Sequence, residues 1–300
     1  MTESKTRAGF VAVIGAPNAG KSTLVNELVG QKVAIVSAKA QTTRARLMGI
    51  AIEGSAQILL VDTPGIFQPK RRLDRAMVAA AWNGADDAEI ILLVVDSDRG
   101  ISAEVERAIA GLDKRRHPLF LVLNKVDLVK KEKLLVLSTQ LTQRLEPDHV
   151  FMVSAATGDG VADLKTALAA SVPEGPWLYP EDDVSDATDR MIAAELTREQ
   201  IYQQLHQELP YAVAIETETW EDRADGSTEI RQQILVERDS QKAIVIGKGG
   251  SRLKEIGQKA RESIAEHLGR KVHLYLHVKV NPKWGEDRSL YEEIGLDWAD

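Results

Sequence analysis

Gly15-Ala16-Pro17-Asn18-Ala19-Gly20-Lys21-Ser22 is the stretch that decides the fold of this chain. It fits G-x-x-x-x-G-K-[ST], follows an apolar run at 10–14 and precedes a helical pattern beginning at Ser22. Strand, loop and helix in that order mark a phosphate-cradling loop. Glycines let the backbone wrap tightly and turn successive N–H groups toward phosphate oxygens. Lys21 adds a point charge for β- and γ-phosphates, and the Ser22 hydroxyl is placed for Mg²⁺. The helix start, through Thr23, offers N–H groups without helical partners and the positive end of its dipole. A glycine turn followed by chance by a lysine is the alternative. Average residue usage makes that roughly a one-in-a-hundred event for a chain of this length.

Working outward, an apolar strand at 119–123 delivers Asn124-Lys125-Val126-Asp127 at its carboxyl end, where open α/β sheets bind ligands. The Asp127 carboxylate matches the ring N–H and exocyclic amine of guanine. Adenine has no such pair of donors, and unpaired buried polar groups discriminate strongly. Lys125 lies along the base plane in this reading, and Asn124 ties its loop to the phosphate loop. Between the two motifs, Asp62-Thr63-Pro64-Gly65 follows an apolar strand at 58–61. Asp62 is positioned to hold Mg²⁺, commonly through water, and the Gly65 N–H to bond a γ-phosphate. Ser154-Ala155-Ala156, after a strand at 150–153, brings backbone N–H groups near the guanine carbonyl. Gln41-Thr42-Thr43 contains a hydroxyl for the Mg²⁺ shell, either Thr43 or Thr42, with Thr43 slightly favoured. The five pieces, in this order over about residues 8–172, resemble the G1–G5 set of the translation-factor-related GTPases. The resemblance implies GTP and GDP as ligands, with Mg²⁺.

The 300 residues suggest two domains, and a hydrophobic share of 44% is ample for compact cores. With no cysteine there is neither a disulfide framework nor a thiolate metal site. Residues 1–9 are charged and lack an apolar core, unlike a secretory signal. The apolar runs at 76–82 and 90–95 are too short to span a bilayer, so the expectation is an intracellular, soluble protein. Strands near 10–14, 48–53, 57–61, 90–95, 119–123 and 150–153 alternate with helices near 21–29, 71–83, 101–113, 131–145 and 161–170. That alternation predicts an α/β domain, a mainly parallel sheet flanked by helices. Val172-Pro173-Glu174-Gly175-Pro176 and the acids Glu181, Asp182, Asp183, Asp186 and Asp189 then break the pattern. The division read from this is 1–172 for the nucleotide domain, 173–184 for a linker and 185–300 for a second domain with a C-terminal tail. Residues 172–180 are expected to form the only covalent path between the domains.

The second half carries its own signature. Gly247-Lys248-Gly249-Gly250 is a G-x-x-G loop between the apolar Ala243–Ile246 stretch and the helical Arg252, Leu253, Lys254 and Ile256. The element order is helix 188–207, strands 211–218 and 228–237, a short helix, the loop, helix 252–268 and strand 272–280. Loop and order together resemble the K-homology (KH) RNA-binding domain in its α+β type II arrangement. Glycines there admit the sugar–phosphate chain against backbone N–H groups, and Lys248, Arg252 and Lys254 supply charge. Residues 242–284 hold ten lysines and arginines against three glutamates, in a chain whose net charge is −7. A basic patch inside an acidic protein localises a phosphate footprint. His273, Tyr275 and His277 share one face of the last strand, either stacking on bases or forming an ordinary half-exposed sheet face.

A guanine-nucleotide domain followed by one type II KH domain resembles the Era family of bacterial ribosome-assembly GTPases across essentially the whole chain. The resemblance implies binding of small-subunit (16S) ribosomal RNA near its 3′ end, favoured by GTP, and help with 30S assembly. It also implies a monomer in the cytoplasm, with peripheral attachment to the inner membrane. The γ-phosphate and Mg²⁺ would order loops around 31–46 and 62–72, and hydrolysis would release them. Ile66 stands where many GTPases place a water-orienting glutamine, so slow intrinsic turnover is expected. Asn18 reads either as a turn residue or, as in related GTPases with asparagine in this loop, as a holder of potassium near the phosphates. Two rivals stand beside this reading: a GTPase partner of an RNA-modification system, and an RNA tether whose nucleotide is only structural.

Overall fold

The computed structural model describes residues 5–37, 39, 43, 47–69, 71–112, 116–205, 209–288, 291 and 296–298. The expected alternation is present in the first half. Strands β1 (Arg7–Gly15), β2 (Leu47–Glu53), β3 (Ala56–Asp62), β4 (Ile90–Asp96), β5 (Leu119–Asn124) and β6 (His149–Met152) form one sheet in the order β2-β3-β1-β4-β5-β6. All neighbours pair in parallel except β2, which runs antiparallel to β3. Helices α1 (Lys21–Val29), α2 (Arg72–Asp86), α3 (Ala103–Leu112), α4 (Lys131–Leu145) and α5 (Val161–Ser171) connect them. β3 and β4 are buried at every position, as expected for parallel strands covered on both faces. Strand order reverses around β1, and the carboxyl ends of β1, β3 and β5 carry the three nucleotide motifs.

The second half holds α6 (Asp189–Gln204), β7 (Val213–Asp222), β8 (Thr228–Val236), α7 (Asp239–Ile246), α8 (Ser251–Leu268) and β9 (Val272–Val280). The sheet order is β7-β8-β9, with β7/β8 antiparallel and β8/β9 parallel. β7 starts and ends later than the sequence suggests. Leu209–Ala212, with Pro210, turns as a 3₁₀ helix, and the hairpin pairs β7 out to Asp222 against Thr228. Ile201, Val213, Ile234, Val245, Ile256 and Val278 form a core between sheet and helices. Among the described residues no helix is long and apolar enough to cross a membrane.

The chain divides into two compact units, one of Met1–Ala34 with Thr43–Asp186, the other of Ile35–Thr42 with Ala187–Trp298. The expectation of a single covalent path is therefore wrong. The cause is an apolar side chain: Ile35, 5% exposed, lies in a cluster with Ile192, Leu196, Ile230 and Ile264 of the second unit. Glu199 accepts the Val36 N–H at 3.0 Å, and the Lys39 ammonium bonds the Tyr202 carbonyl. Just before that segment, the Asn26 carboxamide accepts the N–H groups of Val33 and Ala34 at 2.9 and 2.8 Å.

The stretch read as a linker is held along the edge of the first unit. Buried Gln57 donates to the Tyr179 carbonyl at 2.9 Å and accepts from the N–H groups of Leu178 and Tyr179 at 2.8 and 3.1 Å. Farther on, the Ile50 N–H bonds the Val184 carbonyl at 2.9 Å and the Ser185 hydroxyl bonds the Met48 carbonyl at 2.8 Å. Edge strand β2 is thus covered around Met48–Ile50, which shortens its open row of backbone groups.

Candidate nucleotide site and RNA-binding groove

The phosphate loop is shaped by two left-handed residues, Asn18 (φ 63°) and Gly20 (φ 93°), before α1 begins at Lys21. A Cβ on Gly20 would lie 2.3 Å from Asn124 Nδ2, so only glycine fits between the phosphate and base loops. Lys21, Ser22 and Thr23 open α1, where backbone N–H groups have no helical carbonyl to bond. Lys21 is buried and donates to the carbonyls of Gly15 and Ala16 at 3.3 and 3.1 Å. Gly65 crosses the loop so closely that a Cβ would meet Pro17 N at 2.8 Å.

Ser22, Thr43 and Asp62 come together. The Ser22 and Thr43 hydroxyls bond Asp62 Oδ2 at 2.7 and 3.1 Å and lie 2.9 Å from each other. Asp62 Oδ1 is buried with no hydrogen-bond partner among the described residues. One carboxylate and two hydroxyls suit Mg²⁺, which keeps waters and substrate phosphates as its other ligands. No group of three or more His, Cys, Asp and Glu residues able to hold a metal occurs among the described residues. Thr42, the other candidate, lies outside them. Burial pushes the Asp62 carboxyl up, opposed by Lys21 and the two hydroxyls. Burial likewise pulls the Lys21 ammonium down to about 8, opposed by Asp62. A phosphate beside Lys21 and a divalent cation beside Asp62 would each favour the charged form.

At the other end, Asn124 joins three loops. It donates to the Ala19 carbonyl at 2.9 Å, and its Oδ1 accepts the N–H groups of Lys125 and Ala155 at 2.8 and 3.0 Å. Lys125 is left-handed (φ 63°), and its ammonium bonds the Asn18 carbonyl and Asp96 Oδ2, both at 2.7 Å. The Asp127 carboxylate is exposed, while the Ser154 hydroxyl is buried without a partner among the described residues. Ala155 is buried and Ala156 exposed beside them. Ile66 is 2% exposed and packs in the core in one cluster with Ala16.

In the second unit, Gly247 caps α7 (φ 71°) and Lys248–Gly250 forms one 3₁₀ turn into α8. Gly249 and Gly250 are left-handed, and a Cβ on either would meet nothing within 4 Å, so their backbone is open to a ligand. Lys248 and Lys254 are exposed. Arg252, expected among the RNA contacts, donates one N–H to the Ile244 carbonyl at 2.8 Å and so braces the loop. A groove of about 470 Å³ runs on from Gly250 between α8 and β9, lined by Leu253, Lys254, Gly257, Arg261, Tyr275 and Leu276 among others. Arg261 is missing from the contacts expected from the sequence. The signal for it was the spacing Gly250, Lys254, Gly257, Arg261, which places all four along one side of a helix. Tyr275, read as either a stacking residue or part of an ordinary sheet face, lies on the groove wall. It is 48% exposed and carries Arg231, its cross-strand partner, over its ring at 4.9 Å.

A first unit that gathers Ser22, Thr43 and Asp62 at one end and exposes the Asp127 carboxylate at the other fits the guanine-nucleotide-hydrolysing class. Comparison with known proteins agrees. A family described as 50S ribosome-binding GTPase matches residues 10–125, and the KH domain family matches residues 208–285. GTPase Era of Erythrobacter litoralis is 59% identical over 303 residues, covering 100% of both chains. GTPase Era of Afipia carboxidovorans is 58% identical, covering 98% of this chain and 95% of its own. A crystal structure of Era with MgGDPNP and nucleotides 1506–1542 of 16S ribosomal RNA superposes with a TM-score of 0.92 at 35% identity, covering 97% of this chain and 99% of that one. A crystal structure of a single-residue variant of Aquifex aeolicus Era bound to GDP·AlF₄⁻ gives the same values. The chain belongs to the Era family of GTPases.

Proposed function

We propose that this GTPase binds the 3′ end of 16S ribosomal RNA through the groove at Gly247–Gly250, timed by GTP, and assists 30S assembly. The observation that carries the RNA reading is the pair of open glycines continuing into a groove with Lys254 and Arg261 on its wall. Unstacked bases fit such a groove while the sugar–phosphate chain lies on the glycine turn. The related Era structure containing 16S nucleotides supports the choice of RNA.

In the nucleotide site, Gly15, Ala16, Pro17, Asn18, Ala19, Gly20, Lys21, Ser22 and Thr23 hold the phosphates, and Gly65 contacts the γ-phosphate. Asn124, Lys125, Asp127, Ser154, Ala155 and Ala156 hold guanine. Ser22, Thr43 and Asp62 hold Mg²⁺, which supplies charge stabilisation to the transferring phosphoryl group. Lys21 would neutralise the same oxygens with its own charge. With Ile66 turned into the core, water must be oriented by the γ-phosphate, backbone or a bound partner, and intrinsic turnover is slow. Asn18, left-handed at the loop's turn, holds potassium in this proposal; equal hydrolysis rates in potassium and sodium buffers would remove that ion from it. In this proposal 1–172 holds nucleotide and 185–300 holds RNA, with 173–184 running along the first unit and Ile35–Thr42 grouped with the second. The protein acts as a cytoplasmic monomer with peripheral contact to the inner membrane.

The test is cross-linking and sequencing of RNA bound in cells, comparing wild type with Gly250→Asp and Lys254→Glu. Enrichment of the 16S 3′ end, lost in both variants, is the expected result. Scattered or tRNA-dominated RNA, unchanged by the substitutions, overturns it.

A further inference from the structure

We infer that Asp96 is a positioning residue for guanine, acting by fixing the Lys125 ammonium between the base loop and the phosphate loop. Asp96 ends β4 directly opposite Asn124 of β5, and its side chain is 8% exposed. Its two oxygens have separate tasks. Oδ1 accepts the N–H groups of Asp98 and Arg99 at 3.0 and 3.2 Å and closes the turn after β4. Oδ2 takes the Lys125 ammonium at 2.7 Å, with the Arg99 guanidinium farther off at 3.8 Å.

Lys125 is thereby held at both ends. Its backbone is left-handed, and its ammonium is shared between Asp96 and the Asn18 carbonyl. Its Cε lies 3.8 Å from where a Cβ on Gly20 would be, so the aliphatic stem runs over the phosphate loop. A free lysine side chain samples many rotamers, and ordering it costs entropy at each binding event. The buried carboxylate does that ordering in advance. It turns the stem into a fixed wall for the flat face of the base and links base binding to the shape of the phosphate loop. This inference rests on the proposal that Lys125 lies along guanine.

The separate tasks make the role testable. Asp96→Asn keeps a carbonyl oxygen for the turn but removes the charge that holds Lys125. Asp96→Ser keeps a hydroxyl acceptor and serves if the asparagine variant folds poorly. Release of a fluorescent N-methylanthraniloyl-GDP from the full chain is followed by stopped flow for wild type, each Asp96 variant, Lys125→Met and the double variant Asp96→Asn/Lys125→Met. Loss of one charge-assisted hydrogen bond corresponds to about tenfold faster release for Asp96→Asn. The double variant is expected to release no faster than Lys125→Met alone, a coupling that a purely structural turn would not produce. Wild-type release by both Asp96 variants, or effects that multiply in the double variant, overturns the inference. If Lys125→Met alone leaves release unchanged, the placement of Lys125 on the base fails first, and the inference falls with it.

Discussion

Replacing Asn124 by alanine tests whether the base end of the site is assembled before nucleotide arrives. Its carboxamide is 2% exposed and makes three hydrogen bonds, to the Ala19 carbonyl and from the N–H groups of Lys125 and Ala155. Neutral hydrogen bonds of this kind each contribute about 0.5–1.5 kcal/mol net, so losing all three costs about 2–4 kcal/mol. Ala19 and Ala155 are themselves buried, which limits how far water can substitute. Nucleotide binding must then pay to reorder the loops, and affinity falls by a factor of about 30 to 1,000. The three bonds lie on the base side, away from the γ-phosphate, so GDP and GTP should lose affinity equally. Titration calorimetry with GDP and with a non-hydrolysable GTP analogue, each with Mg²⁺, measures both. A dissociation constant within threefold of wild type would refute the reasoning, as would a loss confined to the GTP analogue.

Other outcomes follow from the same geometry. In nucleotide-free protein, burial pulls the Lys21 ammonium from its ordinary 10.5 down to about 8. Between those values the unfolded chain binds more protons, so the Lys21 contribution to stability rises with pH by about 3 kcal/mol. Urea melts at pH 7.5 and 10 span most of that window, so an increment of about 2 kcal/mol should appear in wild type and not in Lys21→Met. Gly65→Ala drives a methyl group to 2.8 Å from Pro17 N and destabilises the first unit by about 1–3 kcal/mol in denaturant melts. Gln57→Ala removes three bonds to residues 178–179, and limited proteolysis should then cleave near that stretch faster than in wild type.

The features legible in the sequence are those whose chemistry demands neighbouring residues. A phosphate loop, a metal carboxylate after a strand and a guanine tetrapeptide must each be contiguous, so Gly15–Ser22, Asp62–Gly65 and Asn124–Asp127 can be read directly. The type II KH order is readable too, because helix and strand periods differ. What was hidden depends on residues far apart in the chain. Nothing near Gln57 announces that it holds 178–179, and nothing near Asp96 says that its second oxygen meets Lys125. That Arg252 also braces its loop could not be read, because its bond to the Ile244 carbonyl depends on how the loop turns. Ile35 misleads most, since the short apolar run Val33-Ala34-Ile35-Val36 carries no sign of the unit that buries one of its members.

That residue has a consequence for how the protein is made. A chain leaves the ribosome N-terminus first and its domains generally fold as units in that order. Ile35 emerges early, yet the residues that bury it, Ile192, Leu196, Ile230 and Ile264, are synthesised long afterwards. Until then it remains an uncovered apolar side chain beside a nearly finished nucleotide fold, and the second unit cannot complete its core without calling it back. The two halves are therefore not interchangeable cassettes: a KH half cut at residue 185, or grafted onto another nucleotide domain, leaves behind one of its own core side chains.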